Sequence, residues 1–122
     1  MLVLDPWHWL APDGSLPRDN PTLRKRVLRV ARLIEYGGPL LPLEGRETLV
    51  ECGKRLGRRR CPGLLWVVKT EEDEIHAFCA ECRSDDSLIA NWQSTRWADG
   101  PTPPVELHGG ESEGRANDWG PN

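Results

Sequence analysis

All four cysteines of this chain fall between positions 52 and 82, in the stretch CGKRLGRRRCPGLLWVVKTEEDEIHAFCAEC, and their spacing constrains the fold more than any other feature. Cys79-Ala80-Glu81-Cys82 has the two-residue gap that lets both sulfurs reach one ion at about 2.3 Å while amides of the turn point at them. Cys52 and Cys61 are eight residues apart in the pattern Cys-x8-Cys, so Gly53 to Arg60 must loop out and return. The arrangement predicts a Zn2+ site ligated by Cys52, Cys61, Cys79 and Cys82. Buried free thiols and a disulfide pairing are the alternatives. Four thiolates complete a tetrahedral sphere and leave no open position for water or substrate, so the expected zinc is structural.

A chain of 122 residues supports one domain, and with 38% hydrophobic residues, 12 Gly and 11 Pro its apolar supply is thin. A metal staple is one physical answer to a small core. The apolar start Met1–Leu4 is broken by Asp5-Pro6, and the longest apolar run is Leu64–Val68, so neither a signal sequence nor a membrane span is expected. The expected compartment is the cytoplasm, where thiols stay reduced and clustered cysteines favour metal over disulfides. The net charge of −3 conceals a segregation: residues 23–60 carry eleven Lys/Arg against four Glu, and residues 62–122 carry four against twelve acids. That asymmetry predicts a basic face for an anionic partner, or two halves that attract each other.

In chain order, residues 1–20 hold three prolines and two tryptophans flanking His8, and read as an irregular arm packed on the domain. Asn20 is a good N-cap, Pro21 suits the first helical position, and Gly37-Gly38-Pro39 is a stop, so a helix is predicted over Pro21–Tyr36. Leu23, Val27, Val30, Ala31 and Ile34 form its apolar stripe, and Arg24, Lys25, Arg26, Arg29 and Arg32 its polar remainder. Residues 39–45 read as a linker. Strand-like runs follow at Thr48–Val50, Leu64–Lys69, Ile75–Cys79 and Ser87–Trp92. The alternation of Ile75, Ala77 and Cys79 with His76 and Phe78 puts His76 on the face opposite Cys79, which makes it a poor ligand. Beyond Gly100 the composition is rich in Pro, Gly and acids without periodicity, and a disordered tail is expected.

Enzyme chemistry finds no footing: no Gly-rich phosphate loop, Gly-x-Ser-x-Gly elbow or His-Glu-x-x-His pair occurs. The loop Lys54-Arg55-Leu56-Gly57-Arg58-Arg59-Arg60 projects five cations from between two expected ligands, where a phosphate backbone could be gripped. Cations there would also offset the double negative charge of a four-thiolate zinc centre. Trp66, Trp92 and Trp97 could stack bases, but in a domain this poor in core they are expected to be the core.

Four segments together carry a resemblance: the run Arg29–Leu40, Cys52-x8-Cys61-Pro62-Gly63-Leu64-Leu65-Trp66, Phe78-Cys79-x2-Cys82, and Asn91-Trp92-x4-Trp97-Ala98-Asp99-Gly100. Over about residues 5–102 the chain resembles uncharacterised small bacterial proteins with zinc-ribbon-type cysteine arms. The resemblance implies a zinc-ribbon-like fold and a bacterial source. Zinc ribbons more generally serve transcription, translation and protein docking, although their arms are usually short Cys-x2-Cys or Cys-x4-Cys knuckles. The resulting expectation is a small α+β protein. An N-terminal arm, helix and linker (1–45) precede a three-stranded antiparallel zinc-ribbon-like domain (46–100) and a tail (101–122). Its expected function is a non-enzymatic zinc-binding module that contacts nucleic acid through Arg24, Arg29, Lys54, Arg55, Arg58, Arg59 and Arg60. The alternative is a protein-interaction module docking an acidic partner surface.

Overall fold

The computed structural model describes residues 2–100, and the expected disordered tail 101–122 lies outside the described residues. The chain begins with strand β1 (Leu2–Leu4) and a single 3-10 turn, Pro6–His8, before the long helix α1, Pro21–Gly37. Strands β2 (Gly45–Glu51), β3 (Arg55–Leu56), β4 (Arg59–Arg60), β5 (Leu64–Lys69), β6 (Ile75–Cys79) and β7 (Asp85–Ile89) follow. Helix α1 forms where the sequence places it: Asn20 Oδ1 accepts from the Leu23 amide at 3.1 Å, and Pro21 occupies the first turn, where its missing N–H costs nothing.

The sheet differs from the expected one. Five strands form a mixed sheet in the order β1-β7-β6-β5-β2, and β3 and β4 form a separate two-stranded ribbon. The three-stranded antiparallel expectation is therefore wrong, although the α+β class stands. Two strands are added to the expected three: β2, antiparallel to β5, and β1, paired parallel to β7 with Leu2 opposite Ser87 and Leu4 opposite Ile89. Three residues are too few to show a period-2 pattern, and parallel pairing is decided by distant partners rather than by a local turn. The arm is also fixed by side chains, since Asn91 donates to Asp5 at 2.8 Å and the Trp7 indole donates to Ser94 at 3.1 Å. At the other end, β7 stops at Ile89 because Asn91 takes φ 55°, and Trp92 turns into the core instead of extending the strand.

One face of the sheet carries Leu4, Thr48, Val50, Leu65, Val67, Ile75, Ala77, Cys79 and Ile89, all buried, and α1 packs on it through Val27, Val30, Ala31, Leu33 and Ile34. Leu33 is fully buried although it lay outside the predicted stripe, whereas Leu23 is only half-buried. Trp92 and Trp97 join this core. Trp66 does not: it pairs with Phe78 on the opposite, half-buried face of the sheet, together with His76 and Val68. Strand β2 is bulged between Glu47 and Glu51, and Thr48 closes the irregularity by donating to the Leu65 carbonyl at 2.7 Å while accepting from the Val50 amide at 3.0 Å. Among the described residues no helix is long and apolar enough to cross a membrane.

Candidate metal centre and the basic hairpin

The unusual first cysteine arm is a β-hairpin. Arg55 pairs with Arg60 and Leu56 with Arg59 around a two-residue turn whose first residue, Gly57, has φ 68°, a conformation that suits glycine. The ladder continues below the ribbon, with the Cys61 amide donating to the Lys54 carbonyl at 2.8 Å and the Cys52 amide to the Gly63 carbonyl at 2.9 Å. Eight intervening residues therefore return Cys61 beside Cys52. The second arm is the turn after β6, closed by the Cys79 amide on the Ser84 carbonyl at 2.8 Å. Amides also face sulfur in both arms: Gly63 N lies 3.4 Å from Cys61 Sγ and Cys82 N 3.5 Å from Cys79 Sγ.

The four Sγ atoms of Cys52, Cys61, Cys79 and Cys82 all lie within 4.8 Å of one another. Cys52 and Cys82 are 3.8 Å apart, and Cys61 and Cys79 3.7 Å. Tetrahedral ligation at about 2.3 Å requires sulfur separations of about 3.8 Å, so the donor set fits a four-coordinate metal ion. None of the cysteines is in a disulfide; Cys61 and Cys79 are buried, and Cys52 and Cys82 are half-buried.

Without a cation, four sulfurs this close cannot share the same protonation behaviour. The Cys82 thiol is pulled down to about 6 by the Ser84 hydroxyl at 3.0 Å. Lys54 Nζ donates to the same hydroxyl at 3.0 Å, so the Ser84 proton is directed at the sulfur and a relay runs Lys54 to Ser84 to Cys82. Burial pushes the Cys52 thiol up to about 12. A bound divalent ion would remove this split by holding all four groups as thiolates.

The sequence-predicted cations separate into two groups. Arg55, Arg58, Arg59 and Arg60 are exposed on the ribbon, and among the described residues none forms an ion pair. Arg60 shares an open groove of about 570 Å³ with Lys25, Arg29 and Arg32 of α1, beside Leu28, Leu49 and Glu51. Lys25 and Arg32 were not singled out from the sequence, because helix cations are indistinguishable until the packed face is known. Arg24 is exposed on α1 outside this groove. Arg29 is committed internally: its guanidinium makes a bidentate pair with Asp86 at 3.1 and 3.2 Å and donates to the carbonyls of Glu51 and Cys52 at 3.2 and 3.3 Å. It braces the first cysteine arm against β7 and is not a free phosphate ligand. His76 likewise turns away from the sulfurs to Asp85 at 3.0 Å.

Comparison with protein-family models, with curated proteins and with solved structures returned no match. The likeness to zinc ribbons therefore rests on the four-cysteine cluster, within a sheet whose order is not the one that the likeness implied.

Proposed function

We propose that this protein is a non-enzymatic, cytoplasmic zinc-dependent binding module, in which Zn2+ on Cys52, Cys61, Cys79 and Cys82 anchors a basic ribbon that contacts the phosphate backbone of nucleic acid. Its carrying observation is the exposure of Arg55, Arg58, Arg59 and Arg60, held on a short hairpin rooted in two ligands and without acidic partners among the described residues. Charge neutralisation of the thiolates does not require four solvent-exposed cations. A rigid cationic ribbon would instead release counterions from a polyanion. Lys54 has a different part, since its ammonium sits on Ser84 beside Cys82. The alternative partner, an acidic protein surface, is favoured by one feature, the exposed Leu28 and Leu49 in the cationic groove, because apolar side chains add nothing to phosphate contact.

Elemental analysis of protein purified without added metal tests the first half: one zinc per chain is expected, and Cys79→Ser should abolish it and lower the urea midpoint of unfolding. Iron or no metal at all refutes it. Affinity for duplex and single-stranded nucleic acid against salt tests the second half. Replacing Arg58, Arg59 and Arg60 with Ala should leave zinc content intact and remove about 2.7 units from the log-affinity against log-salt slope on duplex DNA. An unchanged slope, or no binding by the intact protein, rejects the nucleic-acid reading.

A further inference from the structure

A cavity of about 320 Å³ opens between α1 and the β1–β7 edge. Its apolar walls are Leu2 and Leu4 of β1, Trp9 of the arm, and Leu23, Val27 and Val30 of α1. Its polar side consists of Arg26, Arg29, Asp86 and Ser87. Ser87 is 1% exposed, and its Oγ is the one buried side-chain polar atom among the described residues that lacks a hydrogen-bond partner. A hydroxyl in that position normally finds a partner, and leaving it without one costs about 1–3 kcal/mol.

Charge points in the same direction. Arg29 and Asp86 neutralise each other through their bidentate pair, which also links α1 to β7 across the polar side. Arg26 lies one turn before Arg29 on the helix, Ser87 directly follows Asp86 on the strand, and all four line the same cavity. Arg26 has no ion pair among the described residues, and it leaves one uncompensated positive charge beside an unused hydroxyl donor. The volume lies at the lower end of the range of about 300–1,000 Å³ that holds small organic ligands.

We propose that this cavity binds a small amphiphilic monocarboxylate, with its apolar body between Leu4, Trp9, Val27 and Val30 and its carboxylate accepting from Ser87 Oγ and pairing with Arg26. The cavity then has a donor for each polar atom of the ligand and an apolar wall for the rest. This site stands apart from the basic ribbon, and its test is indifferent to nucleic-acid binding.

Octanoate and octan-1-ol are the probes, titrated into the zinc-loaded full chain and followed by amide chemical shifts. Octanoate should shift Leu4, Val27, Val30 and Ser87 and bind about tenfold more tightly than octan-1-ol, the gain from a charge-assisted contact. Arg26→Gln, an exposed position whose replacement leaves the core untouched, should erase that preference while the alcohol still binds. Ser87→Ala should weaken octanoate several-fold at unchanged zinc content. Equal affinity for acid and alcohol, shifts that fall elsewhere, or a Ser87→Ala variant that binds octanoate as well as the parent would each overturn the proposal and leave a cavity that holds water only.

Discussion

Replacing Lys69 with Met isolates a buried charge that the sequence does not announce. Lys69 is 2% exposed at the end of β5, and its ammonium donates to the carbonyls of Gly38 and Leu40 at 3.0 Å each. It also pairs with Asp73 at 3.3 Å and sits 4.3 Å from the Trp92 ring centroid. One side chain thus ties the C-terminal end of α1 to the β5–β6 turn and to the segment after β7. Hydrogen bonds to a charged group contribute about 1.5–3 kcal/mol each, and a desolvated cation–π contact about 2 kcal/mol. Against this stands the desolvation of the ammonium, several kcal/mol, which Met avoids while filling similar space. Asp73 is half exposed and recovers water when its partner goes, so its loss adds little. The balance is a destabilisation of about 2–3 kcal/mol, mostly from the Gly38 and Leu40 carbonyls left without this donor. For a domain of this size that lowers Tm by about 10–20 °C. Thermal melts of the zinc-loaded protein followed by circular dichroism measure it, and a Tm within about 2 °C of the parent would refute the reasoning.

Three further perturbations address the metal centre. Arg29→Gln removes the brace between Asp86 and the carbonyls of Glu51 and Cys52, and should cost about 1–3 kcal/mol in urea unfolding and speed zinc release to a chelator. Gly63→Ala would place a Cβ 2.5 Å from Glu81 Cβ and 2.9 Å from Cys79 Sγ, so the two arms must separate; competition with a chromophoric chelator should show weaker zinc binding, and parental affinity would contradict the close approach. In the chelated protein, Cys82 titrates near 6 against an ordinary 9.0, so folding gains from its thiolate above 9 and loses that gain as pH falls toward 6. Cys52 is raised to about 12, which works the other way, and stability should decline as pH climbs from 9 toward 12. Urea midpoints across this range should rise and then fall, and Cys82→Ser should flatten the lower limb.

The features legible in advance were those set by neighbours in the chain. Asn20 and Pro21 start α1 because the orphan amides they satisfy lie within the same turn. The Cys79-x2-Cys82 arm is local for the same reason, and β5 and β6 are joined by a short turn that fixes their register. From the cysteine spacing alone, four sulfurs could be assigned to one centre, and the sulfur geometry agrees. Pairings between remote segments were not legible. Strand β1 is held by a parallel partner at the other end of the chain, and nothing in Leu2-Val3-Leu4 identifies β7 as that partner. Arg29 and Arg60 look alike in sequence, yet packing commits the first to Asp86 and leaves the second in solvent. Lys69 reads as a polar strand end until Gly38, Leu40 and Trp92 arrive around it. Local hydrogen bonding and ligand spacing are written over a few residues and can be read from them. The partner of a charge, or of a strand edge, depends on which distant surfaces the folded core brings together, and only the tertiary structure decides that.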